Sequence, residues 1–168
     1  MHSLSAPHAT GAADMMYFVY ICAICAANFS VSAFGPWATP INAFVLIGLD
    51  FVIRDKLHER IGVQKIFILI VVAGVISYAI NPATGKIASA SVVAFAFAAV
   101  VDAIVYQLLI NQKWLVKSNI SNTAASAVDS FIFPLIAFGA FMPLVVLGQF
   151  AAKVIGGATW SLLLRKVK

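Results

Sequence analysis

Ile66-Phe67-Ile68-Leu69-Ile70-Val71-Val72-Ala73 is an eight-residue run without a polar side chain. A membrane-spanning β-strand would alternate apolar and polar positions over about 10 residues, whereas this run is apolar on every side. With no water to satisfy its backbone, such a segment must be helical. The helix stops at Asn81-Pro82, because the proline ring cannot continue it and forces the preceding residue out of the α region.

The rest of the chain has the same character. Of 168 residues 62% are hydrophobic and 10% charged, too few charges to wet the surface of a soluble globule. Crossing hydrocarbon as a helix takes about 20 residues, which marks six candidate spans, at 15–34, 41–53, 66–80, 87–110, 124–141 and 143–164. The second is apolar only to Ile53, and Arg54, Lys56 and Arg60 are expected to snorkel to the interface. Six such spans leave no room for a soluble domain. The expected fold class is an all-α integral membrane protein: a compact six-helix bundle over residues 15–168 behind a flexible tail of residues 1–14. The tail has no Lys or Arg, so it lacks the basic region of a secretory signal.

The net charge of +5 does not point to nucleic acid, because the basic residues lie in short clusters between apolar stretches. With six spans, one side collects Arg54, Lys56, Arg60, Lys65, Lys113, Lys117, Arg165, Lys166 and Lys168, and the other only Lys86. The positive-inside rule then makes both termini cytoplasmic. Trp37 and Trp114, next to span ends, read as interfacial anchors.

The acids carry the functional signal. Asp50, Asp102 and Asp129 fall inside spans, where each carboxylate costs at least about 2.5 to 3.5 kcal/mol and must face a partner or a watered cavity. Lys153, also inside a span, is the expected countercharge. Steps of four and three put Asn122, Ser126, Asp129 and Phe133 on one helix face, and Gln149, Lys153, Gly156 and Trp160 on another. Ser91, Phe95, Asp102 and Tyr106 share a third face, Asn42, Leu46 and Asp50 a fourth, and Asn28 and Ser32 a fifth. If these stripes converge, they enclose one acid-rich pocket. Asp55 and Glu59, paired by spacing with Lys56 and Arg60, read as a helix-end cap or gate latch. Pro134 suggests a kink beside Asp129.

No enzyme motif survives inspection. His58-Glu59 lacks the second His of a zinc-protease helix, and no phosphate-binding G-x-x-x-x-G-K-[ST] loop occurs. Cys22-x-x-Cys25 lies in an apolar span without a basic neighbour and reads as packing. Neither catalysis nor a metal or cofactor is expected.

Three stretches resemble a known family. One covers residues 43–62, with Asp50, then Asp55, Glu59 and Gly62 as D-x-x-x-E-x-x-G. The second begins at Ser118-Asn119 and reads S-N-x-x-N-T-x-x-S-x-x-D-S-x-x-F, followed by Ile136-Ala137-Phe138-Gly139. The third comprises Ile76-Ser77-Tyr78, Lys86-Ile87-Ala88-Ser89-Ala90-Ser91, Asp102 and Lys153. Together they are similar to the vitamin uptake transporters, whose best-known members carry queuosine precursors, over roughly residues 25 to 166. The resemblance implies an inner-membrane importer of 7-cyano- or 7-aminomethyl-7-deazaguanine. A carboxylate suits such a ring, accepting two parallel N–H donors from its guanine-like edge. The candidate ligand acids are Asp129, Asp102 and Asp50. Asn122 or Asn28 would answer the ring carbonyl, Ser126 would add a hydroxyl, and Phe133 or Trp160 would cover the ring face. Lys153 and Gln149 are assigned to charge pairing, and Asp55 and Glu59 to gating. The partners expected are this small molecule and the lipid bilayer, with monomer and homodimer both open. The rival classes are the membrane subunit of an ATPase-driven importer and a small ion or proton channel.

Overall fold

In the computed structural model, which describes residues 8–166, the apolar segments form helices and no strand occurs among the described residues. Helix α1 (His8–Phe34) leads through a 3-10 turn (Gly35–Ala38) into α2 (Thr39–Asn42), a wide π turn (Ala43–Ile47) and α3 (Gly48–Ile61). Four long helices follow: α4 (Val63–Ile80), α5 (Gly85–Leu108), α6 (Trp114–Phe138) and α7 (Pro143–Leu164). Residues 1–7 of the expected tail lie outside the described residues, and from His8 onward the backbone is already helical.

Five stretches are long and apolar enough to cross a membrane: Asp14–Ile61, Val63–Ile80, Pro82–Leu108, Trp114–Phe138 and Pro143–Leu164. The first runs 48 residues without leaving helical structure, where the sequence suggested two separate spans. A straight helix of that length would reach about 72 Å, more than twice the hydrocarbon thickness. Instead the chain reverses around Gly35–Ala38. The α3 helix returns along α1, with Asn42 Nδ2 donating to the Ala27 carbonyl at 3.5 Å. Further along the pair, Met16 and Val19 face Leu49 and Ile53 across a shared apolar groove.

The breaks between helices have local causes. Gly62 alone separates α3 from α4; its φ of +76° is a conformation that an L side chain resists. At Asn81-Pro82 the expected stop occurs, closed by the Thr84 hydroxyl donating to the Asn81 carbonyl at 2.7 Å and to Ser77 at 2.9 Å. Pro134 lies within α6 and is buried.

Packing is closest where the π turn crosses α7. A Cβ on Gly156 would sit 2.3 Å from the Phe44 carbonyl oxygen, and one on Gly48 would sit 2.7 Å from the Gly156 carbonyl carbon. Small residues permit this backbone-to-backbone approach, as in other membrane helix pairs. The main apolar core gathers Tyr20, Ile24, Phe51, Leu57, Ile66, Ile70 and Phe95, and a second cluster forms around Val31, Ile87, Phe133 and Ala137. Outward-facing Phe18, Ile68, Val75, Phe97 and Leu147 present a broad apolar exterior, as a lipid-facing surface requires.

Candidate functional site

Because α3 runs antiparallel to α6 and its polar positions recur at helical spacing, the bundle interior is filled by stacked polar groups. From Glu59 back to Asn42 is 17 residues of helical chain, about 25 Å of rise. At the Ile61 end of α3, Glu59 Oε1 accepts from Lys117 Nζ at 2.8 Å and from the Tyr106 hydroxyl at 2.7 Å. One turn deeper, Asp55 Oδ2 accepts from the Ser118 hydroxyl and from Asn122 Nδ2, the latter at 2.9 Å. Next comes a fully buried group of Tyr20, Asp50, Arg54 and Asp102, in which Arg54 Nε lies 3.4 Å from Asp102 Oδ2. The Arg54 guanidinium also sits 4.4 Å from the Phe51 ring centroid.

Beyond this group α6 and α7 supply the second buried ion pair. Lys153 Nζ is 2.5 Å from Asp129 Oδ2 and also donates to Ser130 Oγ and Gln149 Oε1, each at 3.0 Å. Both charged side chains are almost completely buried. An ion pair removed from water in this way is held by geometry and added hydrogen bonds, since desolvation offsets much of its Coulomb attraction. Asp129 Oδ1 and Gln149 Nε2 have no hydrogen-bond partner among the described residues.

This pair borders a cavity whose wall also includes Asn28, Asn42, Ser91, Phe95 and Phe133. An amide–hydroxyl chain fixes one side of it. Ser91 Oγ donates to Asn28 Oδ1 at 2.6 Å, and Asn28 Nδ2 donates to Ser77 Oγ at 3.0 Å. The space accessible to the centres of water-sized molecules is about 30 Å³, enough for about two waters. A ring-sized ligand therefore requires the wall to part.

The expected site residues separate into groups. Asp129, Asn28, Phe133, Gln149 and Lys153 meet at the cavity. Asp102 and Asp50 are buried but do not line it, and Ser126 is buried with an unpartnered hydroxyl. Asn122 is bonded to Asp55, and Glu59 lies at the helix end with Lys117. Trp160 is not among the cavity residues; its indole N–H donates to the Val45 carbonyl at 3.1 Å, at the π turn.

Three sequence expectations need correction. Arg54 does not snorkel: its side chain is 1% exposed, because it faces Asp102 and Phe51 inside the bundle. Asp55 is likewise buried and tied to α6, so it is no solvated helix-end cap. Lys56 places its ammonium 4.4 Å from the centre of the Trp114 ring. A regular four-residue step also put Leu46 on the inner face. The five-residue π turn shifts that register, and Ile47 lines the cavity. Arg54 was accessible to sequence reasoning, since it falls four residues after Asp50 on the same face. Tyr20 gave no such signal, being one aromatic among many apolar neighbours.

A bundle of long apolar helices with an apolar exterior and buried ion pairs has the build of a multi-pass membrane protein. The chain belongs to the family described as "Putative vitamin uptake transporter", whose model matches residues 10–164. Membership places it among membrane transporters. Neither the comparison with curated proteins nor that with solved structures found a match.

Proposed function

We propose that the chain imports 7-deazaguanines, the cyano and aminomethyl precursors of queuosine, across the inner (plasma) membrane. It does so with six crossings and both termini in the cytoplasm. Asp129 carries this reading: Lys153 neutralises one carboxylate oxygen, while the other has no partner at the edge of an aromatic- and amide-lined cavity. A guanine-like edge offers two parallel N–H donors to that carboxylate. Phe95 and Phe133 supply apolar faces for a flat ring, and Asn28, Asn42 and Gln149 bring amides for its carbonyl. The orientation rests on charge: with Arg54 counted as buried, eight Lys and Arg remain on one side against Lys86 on the other.

Transport then proceeds by alternating access around this midplane cavity. In the present arrangement the cavity is too small for the ring. Ring binding separates the wall residues, and closure afterwards excludes water, strengthening the charge-assisted bonds to Asp129.

The test is uptake of labelled 7-cyano-7-deazaguanine by cells unable to synthesise it, with wild type and Asp129→Asn at equal membrane abundance. Saturable uptake lost in the variant is expected. No uptake by the wild type, or undiminished uptake by Asp129→Asn, overturns the assignment.

A further inference from the structure

The buried interior contains four aspartates but two cations apart from the end-of-helix Lys117, which Glu59 engages. Lys153 serves Asp129 and Arg54 serves Asp102. Asp55 has its hydroxyl and amide donors from α6. Asp50 is the remainder: it is 0% exposed, and neither carboxylate oxygen has a hydrogen-bond partner. The titratable groups within electrostatic reach of it come from each charged wall around it. They are the Tyr20 hydroxyl of α1, Arg54 on its own helix, Asp102 of α5 and Asp129 of α6. The α7 helix presents Lys153 to Asp129, and the buried positions of α4 are Ile66, Ile70, Ala73, Gly74 and Ser77, none titratable.

A second negative charge beside Asp102 and Asp129 is costly in this interior, where the one nearby guanidinium, Arg54, is ion-paired with Asp102 through Nε and makes no hydrogen bond to Asp50, and binding a proton removes that charge. A metal ion is a poor alternative occupant. Arg54 adjoins the site, and among the described residues no three His, Cys, Asp or Glu side chains converge to ligate one.

We propose that Asp50 is the proton-binding group of a proton-coupled carrier, taking up and releasing one proton for each solute moved. The proposal rests on the importer reading above and adds its energy source. Holding Asp129 ionised for the ligand raises the cost of charge at Asp50, so ligand and proton favour each other's binding, and by linkage the effect is reciprocal. Reorientation then exposes Asp50 to the more alkaline side, where the proton leaves and ligand affinity falls.

The experiment uses the full chain in sealed proteoliposomes with labelled 7-cyano-7-deazaguanine and the membrane voltage clamped at zero by potassium and valinomycin. Two quantities are read: exchange at equal pH, and accumulation driven by a pH gradient. Wild type is expected to accumulate roughly tenfold per pH unit, the limit for one proton per ligand. Asp50→Asn is expected to exchange ligand without pH dependence and to lose accumulation completely. Wild-type exchange with no response to the gradient, or Asp50→Asn accumulating as wild type does, overturns the proposal. Should Asp50→Asn lose exchange as well, Asp50→Glu decides. Coupled accumulation with a displaced pH profile supports the assignment, and an unaltered profile overturns it. A wild type that exchanges nothing instead sinks the 7-deazaguanine reading itself.

Discussion

Replacing Lys153 by Met removes the one ion-pair partner of Asp129 among the described residues while roughly preserving side-chain volume. The pair lies at 2.5 Å with both side chains almost fully buried, so the variant leaves a carboxylate uncompensated in the bundle centre. Breaking a buried pair in this way costs about 3 to 5 kcal/mol, whereas removing both charges is often close to neutral. Ser130 and Gln149, each 3.0 Å from the ammonium, cannot replace it: a hydroxyl can donate to Asp129, but neither group supplies a positive charge. A double-mutant cycle of Lys153→Met, Asp129→Asn and their combination, unfolded by denaturant in mixed micelles, should therefore be strongly non-additive. The combined variant should recover most of the stability lost in Lys153→Met while remaining unable to take up substrate. Additive losses would refute the reasoning, because they would mean that Asp129 does not depend on Lys153 for its charge compensation. A combined variant that still transports would refute the role of Asp129.

Arg54→Met should cost about 3 to 5 kcal/mol by stranding Asp102, and Arg54→Met with Asp102→Asn should restore much of it in the same unfolding assay. In Gly156→Ala the new methyl meets the Phe44 carbonyl, so α7 must move off the π turn; a loss of about 1 to 3 kcal/mol in a thermal unfolding scan is expected. Phe133→Ala should raise the uptake KM through a lost ring face in initial-rate measurements, with KM unchanged if the cavity does not hold the ring. Glu59 is 45% exposed, so Glu59→Gln should alter stability by less than about 1 kcal/mol, and any effect should appear in the rate of uptake.

Much of the fold follows from one-dimensional signals. Uninterrupted apolar runs such as residues 66–73 locate the helices, and Asn81-Pro82 marks an end because its stereochemistry is local. The face Asn122-Ser126-Asp129-Phe133 is legible because α6 keeps a regular 3.6-residue period; all four side chains are buried. The α2–α3 region is less legible for a definite reason. Its π turn adds a residue to one helical turn, and no residue in Ala43-Phe44-Val45-Leu46-Ile47 announces that change. The fate of Arg54 depends on an aspartate 48 positions away, so its sequence neighbours Asp55 and Lys56 point to the interface while its spatial neighbour holds it inside. Which acids line the cavity, and which do not, is likewise set by where helices distant in sequence meet.

The ion pairs also set a timetable for biogenesis. Arg54 is synthesised 48 residues ahead of Asp102, and Asp129 24 residues ahead of Lys153. At about 5 to 20 residues per second, each early charge waits on the order of seconds before its partner exists. During that interval Asp50 and Arg54, one turn apart on α3, can shield each other, whereas Asp129 has no such neighbour on α6. Helix α7, synthesised after the other described helices, thus delivers Lys153 and the glycine that seats against Phe44, so a nascent chain shortened before α7 should be left with an open seam and an orphaned anion for membrane quality control to detect.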